Sequence, residues 1–281
     1  MKEGTLMSSS PTIYQPPGSR RERILLFGGF GTGKSEAATR VLERALHPEA
    51  RLWITDTERA YEALVDLDDH RVEFTDLTLE DWPAYVENAN RTAREGDVDD
   101  WWVVDSATNS WEVVQQYALD QGWESDQGGV DWVRVNREHM RLYRAYLSFR
   151  GHLLLTGRSK ELARPQKSGK SMESRQTVET YGAFGVKPAG QKDLGHVPPH
   201  TVLLMGKTKA GEWTITTVKD RKRAELDREP VRDFVRDYLV RVAGWRSLDG
   251  AKDAGKGDAR KGDAGKGDAR KGDAGKDDEE G

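Results

Sequence analysis

Residues 28–35 read Gly-Gly-Phe-Gly-Thr-Gly-Lys-Ser. The glycines at 28, 29, 31 and 33 let the backbone turn tightly and aim several N–H groups at one point, and a following helix adds the positive end of its dipole. That arrangement, a Walker A loop, cradles a polyphosphate. Gly28, Gly29, Phe30, Gly31, Thr32 and Gly33 form the cradle, and Lys34 reaches the outer phosphates as a point charge. The Ser35 hydroxyl completes the shell of a Mg2+ ion that keeps most of its waters. The pattern alone can arise by chance, so its flanks decide. Ile24, Leu25, Leu26 and Phe27 lead in as an apolar strand, and Ala37, Ala38, Val41, Leu42 and Ala45 lead out at helical spacing.

Three further groups could join this chemistry. Asp105 closes the apolar run Trp101, Trp102, Val103, Val104, 70 residues after Ser35. A carboxylate at the end of such a strand can hold the Mg2+ shell opposite Ser35, and it can equally serve as a turn former or helix cap. Glu58 follows a second apolar strand, Leu52–Thr55, where a carboxylate can favour the first turn of a helix. Thr156, Arg158 and Ser159 lie just past the strand His152–Thr156, at the place for a sensor of a terminal phosphate or for an ordinary strand exit. Trp101 and Trp102 read as core, and Asp99 and Asp100 as solvated loop.

Positioning these groups takes strands that alternate with helices. Val72 and Phe74 suggest a strand over 71–75, and helices are expected over 82–95, 110–119 and 131–148, the last with Val133, Met140, Tyr143 and Leu147 as its apolar stripe. Such alternation predicts an α/β fold whose mostly parallel sheet is covered by helices on both faces. Strands 201–205 and 213–218 form a late β-hairpin, and Pro230 opens a final helix with Val231, Phe234, Val235, Tyr238, Leu239 and Val242 inward. Residues 158–200 read as a long irregular loop, with eight Lys or Arg against three Glu between 158 and 192. This divides the chain into a flexible arm over 1–20, one domain over 21–245, and a disordered charged tail over 246–281 built on five-residue repeats.

Composition removes several classes of function. With no cysteine there is no disulfide framework, thiol nucleophile or zinc–thiolate site. No apolar run approaches the ~20 residues of a membrane span, so no membrane partner is expected and a cytoplasmic location fits. The formal net charge is -4, and the tail, with nine basic and ten acidic residues, does not hide a basic body. Any nucleic-acid contact must therefore be local, and the basic run 158–192 is its place.

With these motifs placed, residues 23–243 resemble the RecA-like class of AAA-type P-loop ATPases, and within it the phage-type nucleotide-binding proteins of single-strand annealing and recombination. The segment Ile54-Thr55-Asp56-Thr57-Glu58 carries the finer likeness. The resemblance implies a RecA-like P-loop fold, ATP and Mg2+ as cofactors, Glu58 as the residue that activates the attacking water, and Asp105 as the Mg2+-shell carboxylate. It also implies a homo-oligomer in which Arg221, or Lys219, reaches a neighbour's nucleotide, with DNA as partner, single-stranded DNA foremost. Thr156-Gly157 departs from a recombinase's amide-bearing sensor pair, so annealing or accessory ATPase action is implied rather than strand exchange. A P-loop kinase, with Arg158, Arg164 and Arg175 as a lid, and a DNA packaging or translocation component are the competing expectations.

Overall fold

A computed structural model describes residues 13–14, 20–45, 49–61, 64–66, 68–77, 81–126, 128–163, 173–192, 194–220 and 226–247. The strands are β1 (Ile13–Tyr14), β2 (Arg23–Gly28), β3 (Leu52–Asp56), β4 (Val72–Asp76), β5 (Trp101–Asp105), β6 (His152–Glu161), β7 (Val186–Pro188), β8 (Thr201–Lys207), β9 (Trp213–Asp220), β10 (Glu229–Pro230) and β11 (Arg246–Ser247). The α-helices are α1 (Lys34–Ala45), α2 (Trp82–Glu95), α3 (Asn109–Asp120), α4 (Trp132–Ser148) and α5 (Arg175–Tyr181).

The main sheet runs β10-β9-β8-β2-β6-β5-β3-β4, with β7 paired to the end of β6. From β8 to β4 all neighbours are parallel, while β9, β10 and β7 pair antiparallel. The expected α/β architecture and late hairpin are therefore present. Side-chain alternation explains why both faces are covered: Ile24, Leu26, Trp101 and Val103 enter one core with α1, and Leu25, Phe27, Trp102 and Val104 enter the other with α2, α3 and α4. Both Trp101 and Trp102 are fully buried, as core. Asp81 caps α2 through the N–H of Ala84, and Asp131 caps α4 through that of Arg134.

Several expectations change. The buried face of α4 is Val135, His139, Leu142, Tyr143 and Tyr146, while Val133 and Leu147 are exposed. The apolar stripe was out of phase because a histidine occupies the core face, bonded to Ser110 at 3.1 Å. Asp100 is no solvated loop residue: it is buried and accepts from Arg51 N–H, Trp53 Nε1 and Asp97 N–H, tying β3 to the start of β5. Pro230 lies in edge strand β10, where its missing N–H costs nothing, and the last helix begins at Phe234 because the Asp233 carboxylate accepts from Val235 and Arg236 N–H. That helix is wound as a π-helix over Val235–Val240.

The described parts of 158–200 are more ordered than the composition suggested. β6 continues to Glu161 and pairs with β7, and α5 is capped by Ser174. Within the expected N-terminal arm, Ile13 is buried and β1 pairs with β11, which holds the first residues of the expected tail. Residues 248–281 and 221–225, including Arg221, lie outside the described residues.

Two histidines are locked neutral in the cores. Burial pushes both His139 and His152 down to about 3, and His152 Nδ1 accepts from the Glu22 N–H at 3.1 Å. A base with a depressed folded pKa contributes stability above its unfolded value, near 6.5, and loses it as pH falls. Stability to urea is thus expected to fall as pH drops below 6.5, at a rate that approaches about 1.4 kcal/mol per pH unit for each of these histidines by pH 5. A flat profile across that window would contradict their neutral burial.

Candidate nucleotide site

The loop between β2 and α1 sits where ligands collect in such sheets, at the carboxyl ends of central strands. Its backbone makes demands only glycine meets. Gly33 has φ +82°, and a Cβ there would lie 2.8 Å from the Trp213 ring on β9. At Gly28 a Cβ would come within 2.3 Å of the Met205 carbonyl on β8. The loop is thus pressed against the late hairpin at both ends. Thr32 Oγ1 donates to the Gly29 carbonyl at 2.9 Å, fixing the turn, and Lys34 Nζ donates to the carbonyls of Gly29 and Gly28 at 2.9 and 3.3 Å.

Beneath Lys34, Ser35 Oγ donates to Asp105 Oδ2 at 2.6 Å, and Thr156 Oγ1 donates to Asp105 Oδ1. Burial raises the Asp105 pKa; the two hydroxyls oppose that, and the nearby carboxylates of Glu58 and Asp56 add to it. The Lys34 ammonium is lowered by burial against the pull of Asp105 and Glu58. Among the described residues no three His, Cys, Asp or Glu cluster as a metal cage. A hydroxyl beside one carboxylate is instead the hard oxygen pair that holds Mg2+ together with phosphates and water, so Ser35 and Asp105 fit that ion.

Glu58 reaches the same cavity, about 300 Å³, lined also by Phe30, Lys34, Asp105 and Arg158. Its placement begins with Asp56, whose carboxylate accepts from the Glu58 and Tyr61 N–H groups at 2.9 and 2.8 Å. Thr57 then locks β3 to β5: its N–H donates to the Asp105 carbonyl at 2.7 Å, and its hydroxyl accepts from Ser106 N–H and Asn109 Nδ2. The Glu58 carboxylate itself accepts from Arg158 at 2.7 Å and from Asn109 at 3.5 Å. Arg158 is held in turn by its backbone N–H on Thr108 Oγ1, and its guanidinium lies 5.6 Å from the Phe30 ring.

Of the loop, Phe30, Gly31, Thr32, Gly33, Lys34 and Ser35 line this cavity together with Glu58 and Asp105, while Gly28 and Gly29 lie behind it and accept from Lys34. Two partners were not read from sequence: Trp213, from a strand 180 residues away, and the pairing of Arg158 with Glu58. The alternation of β6 does place Thr156 and Arg158 on one face, the available signal for both. Lys219 does not face outward toward a neighbour; its ammonium donates to the carbonyls of His196 and Pro199 at 3.1 and 2.8 Å, because β9 folds it back over the 195–199 turn. No arginine lid forms among the described residues, since Arg158 pairs with Glu58 and Arg175 with Glu179, while Arg164 lies outside them. A larger cavity of about 820 Å³, along α2 with Glu138 and Arg141, takes in none of the loop residues, so the chemistry belongs to the smaller one.

A parallel sheet with a glycine loop at the end of a central strand, and a carboxylate from a neighbouring strand bonded to the loop's serine, defines a P-loop nucleotide-binding protein. The family model described as the AAA domain matches residues 20–183, more than half of the chain, and the chain belongs to that ATPase family. Comparison with curated proteins finds no match.

Gly33→Ala is expected to weaken nucleotide binding more than tenfold, because the left-handed backbone and the Trp213 ring both resist a Cβ. Gly122→Ala, also at positive φ (+60°) but with open space around it, is expected to cost only about 1–2 kcal/mol of stability and no binding. Calorimetric titration with a nucleotide, beside thermal unfolding, separates the two effects; equal binding by both variants would contradict the packing account.

Proposed function

We propose that the chain is a Mg2+-dependent ATPase of RecA-like kind that acts on DNA, in single-strand annealing, recombination or as a replication accessory of phage type. The observation that carries the ATPase part is the convergence of Ser35, Asp105 and Glu58 on the cavity beside the phosphate loop. When bound, Mg2+ would neutralise charge on the outer phosphate oxygens. Lys34 would exchange its loop carbonyls for those phosphates, and Ser35 and Asp105 would hold the ion. Glu58 orients the attacking water and takes its proton, which requires the carboxylate to leave Arg158. Arg158 then turns to the terminal phosphate, so that the base is freed only when the nucleotide is in place.

The DNA part is supported by the surplus of Lys and Arg over 158–192 in the sequence, of which Arg158 lines the nucleotide cavity and Lys160 and Lys187 lie on the β6–β7 ribbon. A homo-oligomer in which Arg221 completes a neighbour's site belongs to the same proposal and follows from the resemblance to RecA-like proteins.

The test is ATP turnover with and without single-stranded DNA. Lys34→Ala should lose nucleotide binding and turnover together. Glu58→Gln should bind ATP normally but turn over about 10²-fold or more slowly, the usual reach of a positioned general base. Wild-type turnover should rise with DNA. Unchanged turnover in Glu58→Gln would remove the catalytic role, and indifference to DNA at low salt would remove the nucleic-acid part.

The raised Asp105 pKa sets a pH dependence. Protons compete with the cation for this carboxylate, so Mg2+-dependent ATP binding should weaken on acidification at a higher pH than an exposed aspartate would give. Thr156→Val deletes a hydrogen bond that favours the ionised form and should move that threshold further up. Binding measured across pH 4 to 8 checks it; an unmoved or lowered threshold would be the contrary result.

A further inference from the structure

A second hollow adjoins the phosphate cavity, and the ATPase chemistry does not use it. It measures about 200 Å³ and shares Gly33, Glu36 and Trp213 with the phosphate cavity. The two lie toward opposite sides of β2. Asp105 and Arg158 reach the phosphate cavity from β5 and β6, whereas the second hollow is walled by β8, β9 and residues 231–234. Its character differs as well. Ala37, Met205, Val231 and Phe234 form an apolar floor, and Trp213 is half-buried beside them, unlike Trp53, Trp82, Trp101 and Trp102, which are fully buried. The carboxylates at this hollow are already engaged: Glu36 accepts from Arg40 at 3.0 Å, and Asp233 accepts from the Val235 and Arg236 N–H groups. Apolar walls and an aromatic ring with a paired polar rim suit a flat, uncharged, aromatic group.

A nucleoside triphosphate is a directional ligand, and the site fixes which way it lies. Ser35, Asp105 and Glu58 take the end that carries the cation and the terminal phosphate. The N–H groups at the start of α1 hold the phosphates behind it. The nucleoside must then leave the loop away from β5, past Gly33 and Glu36, which is where the second hollow begins.

We infer that this hollow receives the nucleobase and that Trp213 is the residue on which the base stacks. The inference rests on the nucleotide reading of the loop and adds where the base lies and what holds it. The phosphate cavity alone, about 300 Å³, is at the lower edge of the ~300–1,000 Å³ of small-molecule sites, and the second hollow brings the whole well inside that range. Stacking on an aromatic ring uses the face that every base presents, so it needs no unspent polar group in the wall. The same ring braces the phosphate loop, since a Cβ on Gly33 would lie 2.8 Å from it. Base and phosphates are thus held on two sides of one contact.

The test compares ATP with inorganic tripolyphosphate, which carries the phosphates without a base, on the full chain in Mg2+ by calorimetry. Damage to the loop lowers both affinities alike, so the quantity read is their ratio. Trp213→Ala is expected to lower the preference for ATP by about fivefold or more, the low end of what one base gains by stacking on an aromatic ring. Trp213→Phe should keep most of it. Ala37→Leu, which fills the hollow from α1 and leaves the ring in place, should lower the preference as well. Tripolyphosphate binding with a ratio unmoved by Trp213→Ala and Ala37→Leu overturns the inference and leaves the phosphate loop intact. Failure of both ligands to bind the wild-type chain removes the nucleotide reading, and the inference with it.

Discussion

The hydrogen bond between Ser35 and Asp105 is the contact on which the site depends. It joins the first turn of α1 to the end of β5, two elements 70 residues apart in sequence, and it places a hydroxyl and a carboxylate where one cation can bridge them. A buried carboxylate is costly to keep ionised, and here two hydroxyls, from Ser35 and Thr156, offset part of that cost. The same desolvation gives a bound cation its purchase, because charge interactions strengthen as water is removed.

Everything around this bond serves to hold its two ends. The parallel order β3-β5-β6-β2 brings the ends of four strands to one edge, so that Glu58, Asp105, Thr156, Arg158 and the glycine loop share a cavity. Apolar residues on alternate faces of those strands enter two separate cores, which is why short shifts of one strand against another are resisted. The late hairpin fixes the loop from the opposite side through Trp213 and Met205. A phosphate loop that must bend this tightly would otherwise be mobile. Its rigidity is supplied by contacts distant in sequence.

The parts of this arrangement that were legible in the sequence are those governed by local rules. A glycine loop between an apolar strand and a helix announces itself because backbone geometry and residue type are tied at each position. Carboxylates ending buried strands, at Asp56 and Asp105, could be placed for the same reason, while Glu58 was singled out by the resemblance. Helix α2 could be read with its bounds, since Pro83 fits a first turn. Properties that depend on what packs against what were not legible. The phase of α4 was misread because His139 is a core residue, and Asp100 was misread because nothing local reveals that Trp53 and Arg51 would bond to it. The order within 158–200 was missed for a related reason: the pairing of β6 with β7 joins segments separated by a run with no periodicity. Arg158 was visible as a polar residue in a useful place, yet its pairing with Glu58 depends on β3 and β6 lying on either side of β5 in the sheet.

The most direct test of the account is a double-mutant cycle on Ser35→Ala and Asp105→Asn, reading ATP affinity in the presence and absence of Mg2+ by calorimetry. If the two side chains hold one cation between them, each single substitution should remove most of the Mg2+-dependent gain in affinity, and the double variant should be little worse than either alone, while affinity without Mg2+ changes little. Strictly additive losses, or equal losses with and without Mg2+, would mean that the two groups act separately, and the central claim would be wrong.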